Sequence, residues 1–119
     1  MQFSIFLIYY IGGVDIMNFI RETHQITVKN EDGKIIVKAT FPFIKPGVVN
    51  VNHTYVDPSL RGQGVASNLM HEVVDHIKDQ GFKVVATCPY AVVWFKKHRE
   101  YEGLIDLETQ SELAPECQI

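Results

Sequence analysis

The stretch from Asp57 to Ala66, which reads DPSLRGQGVA, constrains the fold of this chain more than any other. A β-branched, strand-like run enters it from Val48, and an amphipathic helix pattern leaves it at about Gly64. Pro58 ends the strand because its ring fixes φ and removes an N–H from the ladder. Gly62 and Gly64 permit tight backbone conformations without a Cβ clash. The sequence therefore predicts a strand–loop–helix junction here.

This junction is predicted to bind an anion. The first N–H groups of a helix have no intrahelical partner, and the helix dipole places positive charge at that end. Together they form a seat for a phosphate group. Arg61, within the loop, adds a permanent cation with bidentate hydrogen-bonding geometry.

Two common phosphate loops do not fit the residues. A Walker-type loop needs a Lys and a hydroxyl residue after its last Gly, where this chain has Val65 and Ala66. A dinucleotide fingerprint needs a third Gly, where this chain has Ser67. It also needs an acidic residue about 20 positions further on, where this chain has Thr87 and Cys88.

A third pattern, Arg/Gln-x-x-Gly-x-Gly/Ala, is satisfied by Arg61, Gly64 and Ala66. With the pair His53-Thr54 before the loop and the pair Cys88-Pro89 after the next strand, the chain resembles the GCN5-related N-acetyltransferase (GNAT) superfamily. The resemblance is strongest to a branch of small, single-domain members. It implies an α/β (α+β) fold with a mixed, mainly antiparallel sheet, a central parallel strand pair and flanking helices.

Hydrophobic periodicity agrees with this fold class. Alternating apolar residues and a turn signal at 30–33 predict a hairpin, and three strands before the first long helix disfavour a Rossmann fold. The predicted strands are 25–29, 34–43, 48–56, 83–88 and an edge strand at 104–107. The predicted helices are 64–80, ended by Gly81, and 91–100.

The predicted domain organisation is a minimal GNAT domain over 17–110, an apolar N-terminal extension over 1–16 and a loose C-terminal tail over 111–119. The extension is shorter than the roughly 20 apolar residues that span a bilayer. No Lys or Arg precedes Arg21, so a signal peptide is not indicated. We expect an extra strand or a disordered leader rather than a membrane anchor.

Composition narrows the partners. A net charge of −3 argues against a general nucleic-acid-binding protein. Two cysteines are too few for a disulfide framework and indicate a cytoplasmic setting. We expect no nucleic-acid or membrane partner, and a monomer or weak homodimer.

The resemblance implies acetyl-CoA as cofactor and transfer of its acetyl group to an amine. The amine is a small molecule or a protein lysine, and the residues do not choose between them. In the family, backbone near Val56 pairs with pantetheine, and the loop holds the pyrophosphate. The loop residues expected to bind are Arg61, Gly62, Gln63, Gly64, Val65 and Ala66. The alternative is a non-catalytic acyl-CoA-binding module.

The chain departs from the family's usual catalytic pair. No carboxylate lies between residues 48 and 56, where a Glu base is common, and Phe95 stands where a Tyr acid is expected. Cys88 and His53 are the candidate replacements, predicted to face each other across the gap. Cys88 would be an acetyl-accepting nucleophile or a proton donor to the CoA thiolate, and His53 a base. The alternative is a buried, inert cysteine and a histidine whose hydrogen bonds are satisfied within the protein. Thr54 is expected to be structural and Tyr90 a rim aromatic.

A zinc site is not expected. His71 and His76 flank an acidic helix segment, but a metalloprotease motif needs its histidines four apart on one face. These are five apart, roughly 140° around the helix. They are interpreted as solvated helix residues, and no metal ligand set is predicted.

Overall fold

The computed structural model describes residues 7–11 and 15–119, with side chains from residue 18 onward. Its strands are β1 (Leu7–Ile11), β2 (Asp15–Glu22), β3 (Gln25–Lys29), β4 (Ile35–Thr40), β5 (Phe43–Lys45), β6 (Val48–Val51), β7 (His53–Val56) and β8 (Lys83–Ala86). Its α-helices are α1 (Val65–Asp79), α2 (Pro89–Lys97) and α3 (Leu107–Ser111). Short 3-10 helices cover Pro58–Leu60, Arg99–Leu104 and Pro115–Cys117.

The strands form two sheets. An antiparallel sheet has the order β1-β2-β3-β4-β7, and a smaller sheet has the order β5-β6-β8 with β6 and β8 parallel. This confirms the predicted fold class. The described part of the predicted extension forms β1 and the start of β2, while residues 1–6 and 12–14 lie outside the described residues.

The predicted single strand over 48–56 is wrong, because the chain changes sheets at its middle. The carbonyl of Val51 accepts the N–H groups of Thr87 and Cys88, both at 3.1 Å, so β6 ends on β8. Asn52 N–H then donates to the Thr40 carbonyl at 3.3 Å, which starts the pairing of β7 with β4. The parallel partner of β8 is therefore β6, and β7 diverges from it.

The strand predicted over 34–43 is also divided. It ends at Thr40, and Pro42, which has no N–H to offer a ladder, separates β4 from β5. Phe43 therefore belongs to the smaller sheet, where β5 pairs with β6.

The predicted long helix is confirmed as α1. Leu69, Val73 and Ile77 are completely buried, as their spacing of four residues predicts. The helix begins after Gly64 and is followed by Gly81, and both glycines have a left-handed φ, of 79° and 80°. No helix in the described part of the chain is long and apolar enough to cross a membrane.

The C-terminal region differs from expectation. Instead of an edge strand at 104–107, Ile105 makes a single parallel bridge to Val84, and α3 follows. The buried Gln110 takes the place of a neighbouring strand, because its amide accepts from Ala86 N–H at 2.9 Å and donates to the Ala86 carbonyl at 2.9 Å. Gln110 also donates to the carbonyl of the buried Cys117 at 2.6 Å, so this tail is packed rather than loose.

The histidines of α1 are not simply solvated. The ring of His71 packs edge-on against Trp94, with centroids 5.0 Å apart. His76 Nε2 donates to the Glu22 carbonyl at 2.7 Å. Between them, Glu72 is completely buried and pairs with Arg21 Nε at 2.6 Å. The segment therefore packs against β2 and α2.

Candidate active site

A cavity of about 430 Å³ opens where β7 diverges from the end of β8. Beyond the last parallel pair, Val51 with Ala86, the chain of β7 follows β4 while α2 begins at Pro89. The residues that line the cavity come from β7, the loop after it, the first turn of α1 and the start of α2. They are Thr54, Tyr55, Val56, Leu60, Arg61, Gly62, Gly64, Val65, Ala66, Ser67 and Tyr90.

The backbone of β7 offers one edge to this cavity. β7 is the last strand of the five-stranded sheet, and its other edge pairs with β4, with Val56 opposite Val37 and Thr54 opposite Ala39. An edge strand presents a row of N–H and C=O groups that an extended ligand can pair with.

Asp57 holds the loop that follows β7. Its Oδ2 accepts from Ser59 Oγ at 2.6 Å and from Ser59 N–H at 3.0 Å, and its Oδ1 accepts from Tyr55 Oη at 3.3 Å. The Ser59 hydroxyl and then its N–H hold the pKa of the Asp57 carboxyl below its ordinary value. The carboxylate therefore caps the 3-10 turn at Pro58–Leu60 and sets the direction of the loop.

The two loop glycines are required by their backbone conformation and not by a lack of room for a side chain. Gly62 and Gly64 have φ values of 83° and 79°, a region that L side chains rarely adopt, while an added Cβ at either position meets no heavy atom within 4 Å. α1 then begins at Val65, and no side chain among the described residues caps it. Its first N–H groups have no intrahelical partner either.

Six of the seven predicted cofactor-binding residues line the cavity: Val56, Arg61, Gly62, Gly64, Val65 and Ala66. Gln63 does not, and its Nε2 donates to the Ser59 carbonyl at 3.4 Å. Arg61 is exposed, with Nε 3.3 Å from the Val56 carbonyl. The binding roles themselves stay predictions.

Sequence reasoning missed Ser67, which lies in the first turn of α1 and lines the cavity. Its Oγ accepts from Trp94 Nε1 at 3.1 Å, so α2 is tied to the start of α1. In the sequence, Ser67 stands out only as the residue at the third glycine position of a dinucleotide fingerprint. Its position three residues after Gly64, in the first turn of the predicted helix, was the signal that could have identified it as a lining residue.

Of the two catalytic candidates, Cys88 lies at the N-cap of α2 and is 7% exposed. The side chain that contacts it is Thr54, with Oγ1 and Sγ 3.4 Å apart. His53 is exposed at the start of β7, and alternation along a strand points it to the other face from Thr54. Thr54, rather than His53, therefore brings its side chain to Cys88, and neither His53 nor Cys88 lines the cavity.

The aromatic candidates separate by burial. Phe95 is 1% exposed and belongs to the core of α2, so it has no part in the cavity. Tyr90 is 39% exposed at the cavity rim, and burial of its ring raises the pKa of its phenol. The hydroxyl consequently keeps its proton through neutral pH.

The split sheet and the loop beside it define a small α/β domain of the acyltransferase type. The chain belongs to the GCN5-related N-acetyltransferase family, because the sequence model of that family (GCN5-related N-acetyl-transferase) matches residues 25–104. The matched region contains β3 to β8, the loop between β7 and α1, and the helices α1 and α2. A search of the curated proteins found no match.

Solved structures share the fold. A GCN5-like protein from Staphylococcus aureus superposes with a TM-score of 0.60 at 22% identity, covering 87% of this chain and 90% of that one. An acetyltransferase from Bacillus cereus gives a TM-score of 0.51 at 30% identity, covering 62% and 54%. A Mycobacterium tuberculosis protein solved in complex with CoA gives 0.51 at 15% identity, covering 64% and 47%.

Proposed function

We propose that this protein is an acetyl-CoA-dependent N-acetyltransferase that moves an acetyl group to an amine. The observation that carries the proposal is the continuous cavity between the free edge of β7 and the uncapped N-terminus of α1. Such a cavity suits a ligand with a linear, amide-containing arm and a phosphate end. CoA has both, and the related M. tuberculosis protein was solved with it.

In this proposal the cofactor is held by backbone and charge. The pyrophosphate takes the N–H groups of the first turn of α1, from Val65 onward, and Arg61 supplies the countercharge. Gly62 and Gly64 shape the loop, and Gln63 supports it from outside the cavity. The pantetheine amides pair with the backbone of β7 at Val56.

The chemistry needs the amine to lose a proton and the tetrahedral oxyanion to meet a hydrogen-bond donor. His53, exposed on β7, is the proposed base. Cys88 is proposed as a nucleophile or a proton donor. Holding the thioester and the amine together supplies much of the rate whatever the catalytic groups are. On composition, we place the protein in the cytoplasm as a monomer or weak homodimer.

An acetyl-CoA titration combined with a thiol-release assay tests the proposal. We expect saturable binding of acetyl-CoA, and release of CoA thiol that depends on an added amine, with small amines and lysine peptides both supplied. Binding without amine-dependent release would instead indicate a non-catalytic acyl-CoA-binding module. Binding of NAD but not of CoA would contradict both functions.

The covalent role of Cys88 has its own test. Intact mass after exposure to acetyl-CoA should show one acetyl group on the wild type and none on C88A if Cys88 is a nucleophile. C117A is the matched control, since Cys117 is the other buried free cysteine. An unmodified wild type that still turns over would exclude the covalent intermediate.

A further inference from the structure

We propose that the Thr54 hydroxyl donates the hydrogen bond that stabilises the thioester oxyanion, and that the Cys88 thiol positions it. This inference rests on the proposed acetyl transfer. It gives Thr54 a catalytic role where the sequence predicts a structural one, and it replaces the nucleophile or proton-donor role of Cys88 with a positioning role.

Thr54 is the residue that connects the cavity with the cysteine. It lines the cavity from β7, while its Oγ1 lies 3.4 Å from Cys88 Sγ on the far side. Cys88 itself is 7% exposed and is not part of the lining. Thr54 therefore lies between a group bound in the cavity and the thiol of Cys88.

The place of Thr54 along β7 matches the acyl end of the cofactor. With the phosphates at the loop, the arm of CoA extends back along β7, away from Arg61. Thr54 precedes Val56 by two residues, which is roughly 7 Å further from the loop at the usual strand rise. Both side chains lie on the same face of the strand, since strand residues alternate.

The other hydroxyls of the lining are less suited. Tyr55 Oη donates to Asp57 at 3.3 Å, and Ser67 lies at the phosphate end, where its Oγ accepts from Trp94. Tyr90 is on the solvent rim. Thr54 is β-branched and sits in a strand, so its χ1 angle is restricted before any ligand binds. Such preorganisation is what an oxyanion donor requires.

A hydroxyl has one proton to donate and two lone pairs to accept with. When the Cys88 S–H donates to Thr54 Oγ1, the Thr54 proton is left to point into the cavity. Each of two hydrogen bonds in a chain strengthens the other. Cys88 thus contributes without touching the substrate, which fits its burial.

The reaction balances without a covalent enzyme intermediate. The amine nitrogen attacks the thioester carbon, a C–N bond forms, and the carbonyl electron pair moves to oxygen, where Thr54 donates. The carbonyl then re-forms, the C–S bond breaks and its electrons stay on the sulfur of CoA. The proton lost by the amine passes through solvent to the exposed His53, the proposed base, and the CoA thiolate takes a proton from solvent. Thr54 keeps its proton throughout.

The test compares T54V, which is nearly isosteric and lacks the hydroxyl, with T54S, which retains it. Removing one oxyanion donor typically lowers kcat by about 100-fold or more, and we expect that loss in T54V. T54S should stay within about threefold of wild type. The dissociation constant for CoA, which has no thioester carbonyl, should be unchanged in both. T40V is the matched control, because Thr40 lies on β4, outside the cavity lining, and donates to Asn52.

The role of Cys88 is tested by a double-mutant cycle. We expect C88A to lower kcat by about tenfold, and T54V/C88A to be no slower than T54V alone, since both act through one hydroxyl. Losses that multiply in the double variant would overturn the positioning role. If T54V does not fold, T54A gives the same comparison with T54S.

A readout that does not need turnover separates this inference from the proposed function. The infrared stretch of ¹³C-labelled acetyl-CoA should shift to lower frequency when bound to the wild type and to T54S, and shift less when bound to T54V. The same shift in all three would overturn the Thr54 assignment even in an active enzyme. A shift that depends on Thr54, without amine-dependent thiol release, would keep the hydrogen bond and refute the acetyl transfer.

Discussion

The two ends of α1 are built in opposite ways. The N-terminal end follows a glycine loop, has no side-chain cap and opens onto the cavity. From the middle of α1 to its C-terminal end, Glu72 is buried against Arg21, and His76 donates to the Glu22 carbonyl. A helix that is fixed at one end can leave its other end unsatisfied. If the proposed function is correct, stability and ligand binding depend on separate parts of one helix.

Anchoring comes from β2, which precedes the region matched by the family model at 25–104. Arg21 lies in β2, and its guanidinium also reaches Asp79 Oδ2 at 3.2 Å, so one side chain contacts two positions of α1. The desolvation of Arg21 by burial opposes its charge, but the two carboxylates outweigh it and raise the pKa of the guanidinium. The charge is therefore retained, and β2 anchors the middle and the C-terminal end of α1.

The largest effect should follow from R21M, which keeps the length of the side chain and removes the charge. It leaves the buried carboxylate of Glu72 without its guanidinium, and we expect unfolding free energy to fall by about 3 kcal/mol. Urea unfolding followed by circular dichroism measures it. D79N is the control, because Asp79 is exposed and an exposed pair is worth about 0 to 1 kcal/mol.

If D79N and R21M were equally destabilised, the buried pair would not be the anchor. The affinity of R21M for CoA should stay close to that of the wild type below its unfolding transition, since Arg21 does not line the cavity. A proportional loss of affinity would show that the two ends are not separate.

At the other end, R61A should weaken CoA binding and leave stability unchanged. Arg61 is exposed, so its contribution to folding is small, while a charge-assisted contact to a phosphate is worth about 1.5 to 2 kcal/mol, or roughly 10 to 30-fold in affinity. Isothermal titration with CoA measures the change, which should shrink at high salt. K78A removes the same charge near the opposite end of α1 and should have little effect.

The two ends of α1 could not be predicted equally well from the sequence. Local signals were sufficient for the loop and α1, because Pro58, the glycines and the four-residue apolar spacing each act within a few residues. The contact of Arg21 with Glu72 joins positions 51 apart in sequence. Periodicity alone places Glu72 beside two histidines on a helix and says nothing about which strand covers it.

The strand change at Asn52 was hidden for a similar reason. The run from Val48 to Val56 has the composition of one continuous strand, and its division depends on which partners the backbone finds on either side. The contact of Thr54 with Cys88 depends on that division. The sequence could therefore identify the residue types at the site, but not which of them meet.

A smaller effect on stability is expected from S67A, which tests what holds the first turn of α1 in place. It removes the acceptor of the Trp94 indole N–H, which belongs to a side chain that is 3% exposed. We expect a loss of about 1 kcal/mol in unfolding free energy. S67T keeps the hydroxyl and should recover most of it. Equal stabilities of S67A and the wild type would show that the packing of α2, and not this bond, holds the first turn of α1.

The smallest expected effect is a pH dependence of stability that comes from His76, near the C-terminal end of α1. Desolvation by burial, followed by the charge of Arg21, lowers the pKa of His76 in the folded state, although the Glu22 carbonyl and the carboxylates of Asp79 and Glu72 act in the opposite direction. The unfolded chain then binds more protons than the folded one below pH 6.5, the ordinary value. Stability from His76 is thus fully present above that pH and is lost as the pH falls through the lowered folded pKa.

Thermal midpoints of the wild type should accordingly fall on acidification from about pH 7 to about pH 5, where imidazoles titrate. H76Q keeps an amide that can donate to the Glu22 carbonyl but cannot take up a proton, so its midpoint should fall less over the same range. The difference between the two profiles is the quantity to measure, because it cancels the titration of groups elsewhere. Parallel profiles would remove His76 as the source. If H76Q changed the affinity for CoA, the state of His76 would be coupled along α1 to the first turn of that helix.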